Sequence, residues 1–177
     1  MSPEIRVSKP AVELRGPFAR MLDDYDLFDP ENGSLYASAR LDFDAYVQSL
    51  NEEEEGANLR SGFVPCSHRW LLDGAFNIVG LVRIRHNIAT RFLAEEAGHI
   101  GYDVPPSFRR RGFGVACLKA GLAQARLLRL DRVLICADSR NIASCKIIER
   151  CGGALEGERF SPHYRCLVRR YWIEGSG

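Results

Sequence analysis

Residues 109–114 read Arg109-Arg110-Arg111-Gly112-Phe113-Gly114, and what flanks them sets the architecture. An apolar, strand-like segment at 100–104 comes before, and residues 115–130 follow with helical spacing. Strand, basic glycine-containing turn and helix in succession make a local anion receptor. The glycines let backbone N–H groups approach a ligand closely, and the first helical turn adds donors that lack an intrahelical partner. Such a turn suits a pyrophosphate. A dinucleotide-binding fold uses a related turn, but it needs the strand directly before the first glycine and a third glycine three residues after the second. Here Pro105-Pro106-Ser107-Phe108 and three arginines intervene, and Cys117 stands at the third position.

Composition sets the outer limits. The 177 residues fit one domain with a core of its own, expected to run over 1–177. With 46% apolar and 27% charged residues, the chain is globular. The 24 basic and 23 acidic residues leave a formal charge of +1, so no nucleic-acid partner is expected and the basic run is local. No apolar stretch approaches the ~20 residues that span a bilayer. The opening MSPEIRVSKP lacks the apolar core of a secretion signal. Six dispersed cysteines without CxxC spacing are expected to be buried, reduced thiols of a cytoplasmic protein. Cys66 and His68 would make half a metal site, but no second ligand pair follows at zinc-finger spacing, so no metal is expected.

Along the chain, residues 5–7 suggest a short strand and 11–27 a helix carrying Val12, Phe18, Leu22 and Tyr25 on one face. Residues 29–33 read as a loop. Residues 42–54 read as a second helix, with Phe43, Tyr46, Val47 and Leu50 inward. The acidic run Glu52 to Glu55 opposes the dipole at that helix end, which is expected to be frayed and solvated. Strands at 64–72 and 76–84 flank Asp73-Gly74, a hairpin signal. A polar connection over 87–97 precedes a strand at 99–104, ended by two prolines. Residues 113–128 read as a helix and 132–137 as a strand buried on both faces. Residues 141–150 read as a short helix with Asn141 as N-cap, and strands at 154–160 and 164–173 close the chain. The class is mixed α/β (α+β).

These residues resemble the GNAT superfamily of acyl-CoA-dependent N-acyltransferases. Arg109-x-x-Gly112-x-Gly114 matches its (Gln/Arg)-x-x-Gly-x-(Gly/Ala) signature. Asn141-x-x-Ser144 and Gly152 are similar to its later motif, so the likeness covers about residues 76–153. The resemblance implies a twisted, mostly antiparallel sheet with helices on both faces and one central parallel strand pair, at 99–104 and 132–137, that splays apart. It implies an N-acetyltransferase with acetyl-CoA and an amine as partners. The pantetheine arm of acetyl-CoA would lie in the splay against the backbone of Gly101, Tyr102, Asp103 and Val104. The pyrophosphate would sit on the amides of Arg111, Gly112, Phe113, Gly114 and Val115, with Arg109 and Arg110 adding charge and with Asn141 and Ser144 nearby.

Acyl transfer to an amine needs a base for the amine, a donor for the oxyanion and an acid for the departing thiolate. For the base, Glu95, Glu96, His99, Asp103 and His86 are the candidates. By resemblance the acid is a tyrosine four residues after Ser144, but Ile148 occupies that place. Tyr102, Tyr164, Tyr171 or water would then supply the proton. Ile148 also keeps open a non-catalytic acyl-CoA-binding sensor as the alternative. Both faces of the C-terminal segment are partly apolar, and this region is expected to contribute to a homodimer.

Overall fold

Asp73 builds the turn that organises the first sheet. Its carboxylate accepts from the N–H groups of Ala75 and Asn77 at 3.0 and 2.9 Å, and Phe76 closes the loop at a left-handed φ of 63°. The strands so joined are β2 (Cys66–Leu72) and β3 (Ile78–Arg85), paired antiparallel. The computed structural model describes residues 4–175. In it, β1 (Arg6–Ser8) adds to β2 and β4 (Ile100–Asp103) adds to β3, which gives the order β1-β2-β3-β4.

Side chains alternate across this sheet, so each face acquires its own apolar layer. Trp70, Leu72, Ile78 and Leu81 meet α1 (Arg15–Phe28) and α4 (Phe43–Glu55). α1 turns Phe18, Met21, Leu22 and Tyr25 inward at helical spacing, and its Pro17 sits in the first turn, where a missing N–H is harmless. Residues 30–33, expected as loop, form the short helix α2 (Pro30–Gly33). Proline at its first position and the Asp29 carboxylate on Asn32 N explain the difference. A 3₁₀ turn (Ser34–Tyr36) and α3 (Ala37–Leu41) lead on to α4.

Asp42 caps α4 through Ala45 N at 2.9 Å, and Gly56 ends it at φ 72°. Its acidic end is fastened, contrary to expectation. Glu53 meets His68 at 2.8 Å, while Glu54 receives Arg69 at 2.7 Å and Lys9 at 3.1 Å. Cross-sheet partners outweigh the unfavourable dipole; Arg69 and Lys9 hold the Glu54 carboxyl down at about 2 against the opposing effect of burial.

The opposite face, with Leu71, Val82, Ile84 and Ile100, packs on α5 (Phe113–Leu127). The same core takes in Val133, Ile135, Tyr171 and Ile173 of a second antiparallel sheet, of order β5-β7-β6. Its strands are β5 (Arg132–Asp138), β6 (Ala154–Ser161) and β7 (Cys166–Glu174), with α6 (Ile142–Arg150) following β5.

No ladder joins β4 to β5 among the described residues. The sheets meet at an isolated bridge, Gly98↔Ile135, beside a 2.7 Å bond from His99 N to Leu134 O. That bridge is antiparallel in type, because the chain bends at Gly98 (φ 70°, ψ −167°) as it leaves a π-helical segment, Leu93–Ala97. The expected parallel pair is thus reduced to a point of contact. Beyond it β4 and β5 separate, each leading toward a helix N-terminus.

Candidate active site

Three side chains hold the sheet junction and so define the gap that opens from it. His99 is 6% exposed, and its Nδ1 accepts from Leu134 N at 3.0 Å. Burial, with the Arg85 charge, lowers its pKa to about 4, so the ring is neutral. Its Nδ1 lone pair is therefore engaged in a link between sheets and its Nε2 carries the proton, so His99, expected as a base, is instead a structural tie. Arg85 donates to Gly98 O at 3.0 Å, and Arg170 donates to the carbonyls of Ala94 and Glu95.

On the α5 side of the gap, Gly112 takes φ 87° as N-cap of α5 and no side chain caps the helix. A Cβ at Gly112 would meet nothing within 4 Å. Arg110 is also left-handed, at φ 62°, and is exposed like Arg111, whose guanidinium lies over Phe108 and Phe113. An uncapped 15-residue helix start beside two solvent-facing arginines fits a diphosphate through main-chain donors. Phe113 is buried and Val115 half-buried, so each contributes its backbone N–H rather than its side chain to this helix start.

Two expectations are corrected here. Arg109 folds back, with Nη2 on Asp29 at 2.5 Å and Nε on Val104 O at 3.0 Å; it pins the loop to α2. Val104 O is consequently occupied rather than open to a ligand.

Tyr102 crosses from β4 toward the first turn of α6, where its Oη lies 2.9 Å from Ser144 Oγ. Burial raises the phenol to about 12, which keeps it a proton donor. Asn141 caps α6 through Ser144 N at 3.0 Å. Ile148 is fully buried in the core. Tyr102 thus reaches from the strand into the region where Ile148 offers no hydroxyl.

The other face of β4 carries a different set. Asp103 pairs with Arg83 at 2.7 Å and accepts from Tyr36 Oη at 2.9 Å. Glu96 Oε2 accepts from Ser161 Oγ and from His163 N at 3.3 Å, which leaves Oε1 without a partner among the described residues. Glu95 faces Arg91 at 3.3 Å and Arg159 at 3.9 Å. The Tyr164 hydroxyl has no hydrogen-bond partner among the described residues; burial raises its pKa against the opposing charges of Arg85 and Arg83. Tyr171 Oη lies 3.2 Å from Glu149, and His86 is held by Ser67 Oγ at 2.9 Å. Arg83, Arg85 and Tyr36 escaped the sequence reading. The signal was Val82-Arg83-Ile84-Arg85, two arginines on one face of an otherwise apolar strand.

Glu53, Cys66 and His68 bring donor atoms within 4.8 Å of one another. This cluster is poorly suited to a cation. Burial raises the Cys66 thiol to about 11, which keeps it protonated, and the Arg83 and Arg85 charges act on it nearby.

Among the described residues no helix is long and apolar enough to cross a membrane. A family model described as an acetyltransferase (GNAT) domain matches residues 36–154, well over half of the chain. No curated protein matches. Solved structures do, at identities that bear on the fold alone. One is a ribosomal-protein alpha-N-acetyltransferase, RimL, in complex with coenzyme A, at 16% identity and TM-score 0.71 over 96% of this chain and 93% of that one. Another is the microcin self-immunity acetyltransferase MccE with acetyl-CoA and AMP, at 15% and 0.67 over 97% and 92%. A third is a chimera of spermidine N-acetyltransferase SpeG from Vibrio cholerae and hSSAT, at 15% and 0.65 over 97% and 95%. The family model and the split sheet agree: the chain belongs to the GNAT family of acetyltransferases.

Proposed function

We propose that this enzyme moves an acetyl group from acetyl-CoA to a primary amine by direct attack in a ternary complex, with residues 1–177 acting as one domain. The observation that supports it most is the unpaired edge of β4 beyond the Gly98–Ile135 bridge, opening beside the bare N-terminus of α5. An unpaired strand edge inside a sheet is unfavourable unless something supplies hydrogen-bonding partners. An extended, amide-rich arm meets that need, and its phosphates would fall to the amides of 111–115 and to Arg110 and Arg111.

Acetyl-CoA supplies an activated acyl carbon to this gap. Among the candidate bases we assign Glu96, whose Oε1 is free while Oε2 is fixed by the β6–β7 turn. Glu95 is assigned to the surface, held by two arginines. A carboxylate fixed at one oxygen and free at the other takes an ammonium proton directly or through one water. Tyr102 is assigned as the proton donor; if Ser144 donates to its oxygen, the phenol proton is left free for the gap.

Thiol release from acetyl-CoA across a panel of amines, with calorimetry of coenzyme A binding, tests this reading. Turnover of at least one primary amine is expected. Tight coenzyme A binding with no turnover on any amine would favour the sensor alternative. Absence of binding would remove the assignment of the gap.

A further inference from the structure

Buried charges are usually matched within the protein, and here nearly all are. Arg83 has Asp103, Arg69 has Glu54, Arg170 has Glu156 and His68 has Glu53. Arg85 differs. It lies two residues beyond Arg83 on the same face of β3, and its hydrogen bond is Nη1 to Gly98 O at 3.0 Å. No carboxylate lies within ion-pair distance of it among the described residues. Burial lowers its pKa, with the Arg83 charge adding to the effect. Arg85 is half-buried, and a guanidinium partly withdrawn from water without a counter-ion gains from a ligand that brings the missing charge.

The position of this charge matters. Gly98, which Arg85 holds, is where β4 and β5 part. Glu96, the candidate base, lies two residues before Gly98 in the same chain segment. Arg85 therefore stands at the closed end of the gap, beside the segment that carries Glu96. With Nη1 committed to Gly98 O, the Nε and Nη2 donors remain as a side-on fork, which matches the two oxygens of one carboxylate. A dianionic phosphate would call for a second free cation, and Arg83 is already neutralised by Asp103.

From this geometry we infer that Arg85 selects an acceptor that carries a carboxylate close to its amine, such as a free amino acid. The inference rests on the acetyl-transfer reading above and narrows its substrate class. A polycationic amine is disfavoured by the same charge.

The test compares amino acids with their own decarboxylated amines, and with spermidine as a cationic probe. Thiol release is followed with the full chain at saturating acetyl-CoA. We expect kcat/KM at least about tenfold higher on the best amino acid than on its decarboxylated partner. Arg85→Gln is expected to lower that value about tenfold to hundredfold, through KM, with the decarboxylated amine changed less than about threefold. Arg85→Lys, which retains a donor for Gly98 O, should keep the fold and recover part of the preference; if Arg85→Gln does not fold, it and the wild-type ratio decide. Equal or better use of decarboxylated amines or spermidine by the wild type overturns the inference while acetyl transfer stands. An equal loss on both partners in Arg85→Gln overturns it too. Turnover of no amine, with coenzyme A still bound, overturns the transfer reading and this inference with it.

Discussion

Gly98→Ala tests the junction on which the open gap depends. At φ 70°, ψ −167° the backbone occupies a region nearly confined to glycine, and holding alanine there costs about 1–3 kcal/mol. Space is also lacking. A Cβ would stand 2.4 Å from Leu134 O, 2.9 Å from Leu134 C and 3.2 Å from Ile135 Cα, all of them backbone atoms with no rotamer by which to withdraw. Relief requires the sheets to part, which breaks His99 N to Leu134 O and Leu134 N to His99 Nδ1, each worth about 1 kcal/mol. The sum is about 3–5 kcal/mol, or a fall in melting temperature of about 6–20 °C at this chain length. Urea unfolding followed by tryptophan fluorescence, with calorimetry beside it, measures both. Gly62→Ala is the control, because Gly62 has a similar φ of 80° but nothing within 4 Å of its Cβ position. A Gly98→Ala loss below about 1 kcal/mol, or one equal to that control, would refute the view that this contact fastens the two sheets.

Acid should weaken the same junction. The pKa of His99 is about 4 in the fold against 6.5 ordinarily, so the unfolded chain binds the proton more readily. The contribution is complete above pH ~6.5 and fades as pH falls toward ~4, with about 2 kcal/mol gone by pH 5. Urea melts at pH 7 and pH 5 should differ by that amount in wild type and by distinctly less in His99→Gln. Gly112→Val should weaken coenzyme A binding at least about tenfold by calorimetry; its Cβ meets open space, so the left-handed backbone at φ 87° sets the stability cost, about 1–2 kcal/mol or about 2–8 °C in melting temperature. Glu96→Gln should lower kcat at least about tenfold with the KM for acetyl-CoA little changed, whereas Glu95→Gln should stay within about threefold; the reverse order would exchange their roles. Tyr102→Phe should reduce kcat about tenfold or more, and an unchanged kcat would leave the proton to water.

Local rules made much of this molecule readable before its coordinates. Asp73-Gly74 set a hairpin, Asp42 and Asn141 set helix starts, and Gly112 set the turn before α5, each through chemistry within four residues. What stayed hidden depends on partners far along the chain. Arg109 looked like a phosphate ligand until Asp29, 80 positions away, was found to hold it. Glu53 and Glu54 looked like a solvated helix end until β2 came to lie against them. Asp103 and Arg83 sit on neighbouring strands two residues apart in register, on the same face, a pairing that no spacing in sequence signals. Of the candidate bases, only three-dimensional placement distinguishes Glu96, with one free oxygen, from Glu95 beside it.

A gap in the middle of a sheet poses a problem, since ladder hydrogen bonds normally hold neighbouring strands together and here they are absent. Side chains take over that role at the segment preceding β4. Arg170 of β7 donates to the carbonyls of Ala94 and Glu95, groups that the π-helical turn leaves exposed at its end. Ser161, the last residue of β6, donates to Glu96. His99 accepts from Leu134 of β5, and Arg85 of β3 donates to Gly98 O. All of these ties fall within residues 94–99, and no strand pairing follows along the edge from 100 to 103. The second sheet is therefore clamped to the first at one end and released at the other, so the gap can stay open without a ligand to prop it. The same clamp fixes Glu96 and Arg85 relative to the edge they overlook. Loosening the Arg170, Ser161 or His99 tie, each of which joins the two sheets, should therefore disturb use of every amine before it disturbs coenzyme A binding, because the α5 N-terminus is anchored separately through Arg109 and Asp29.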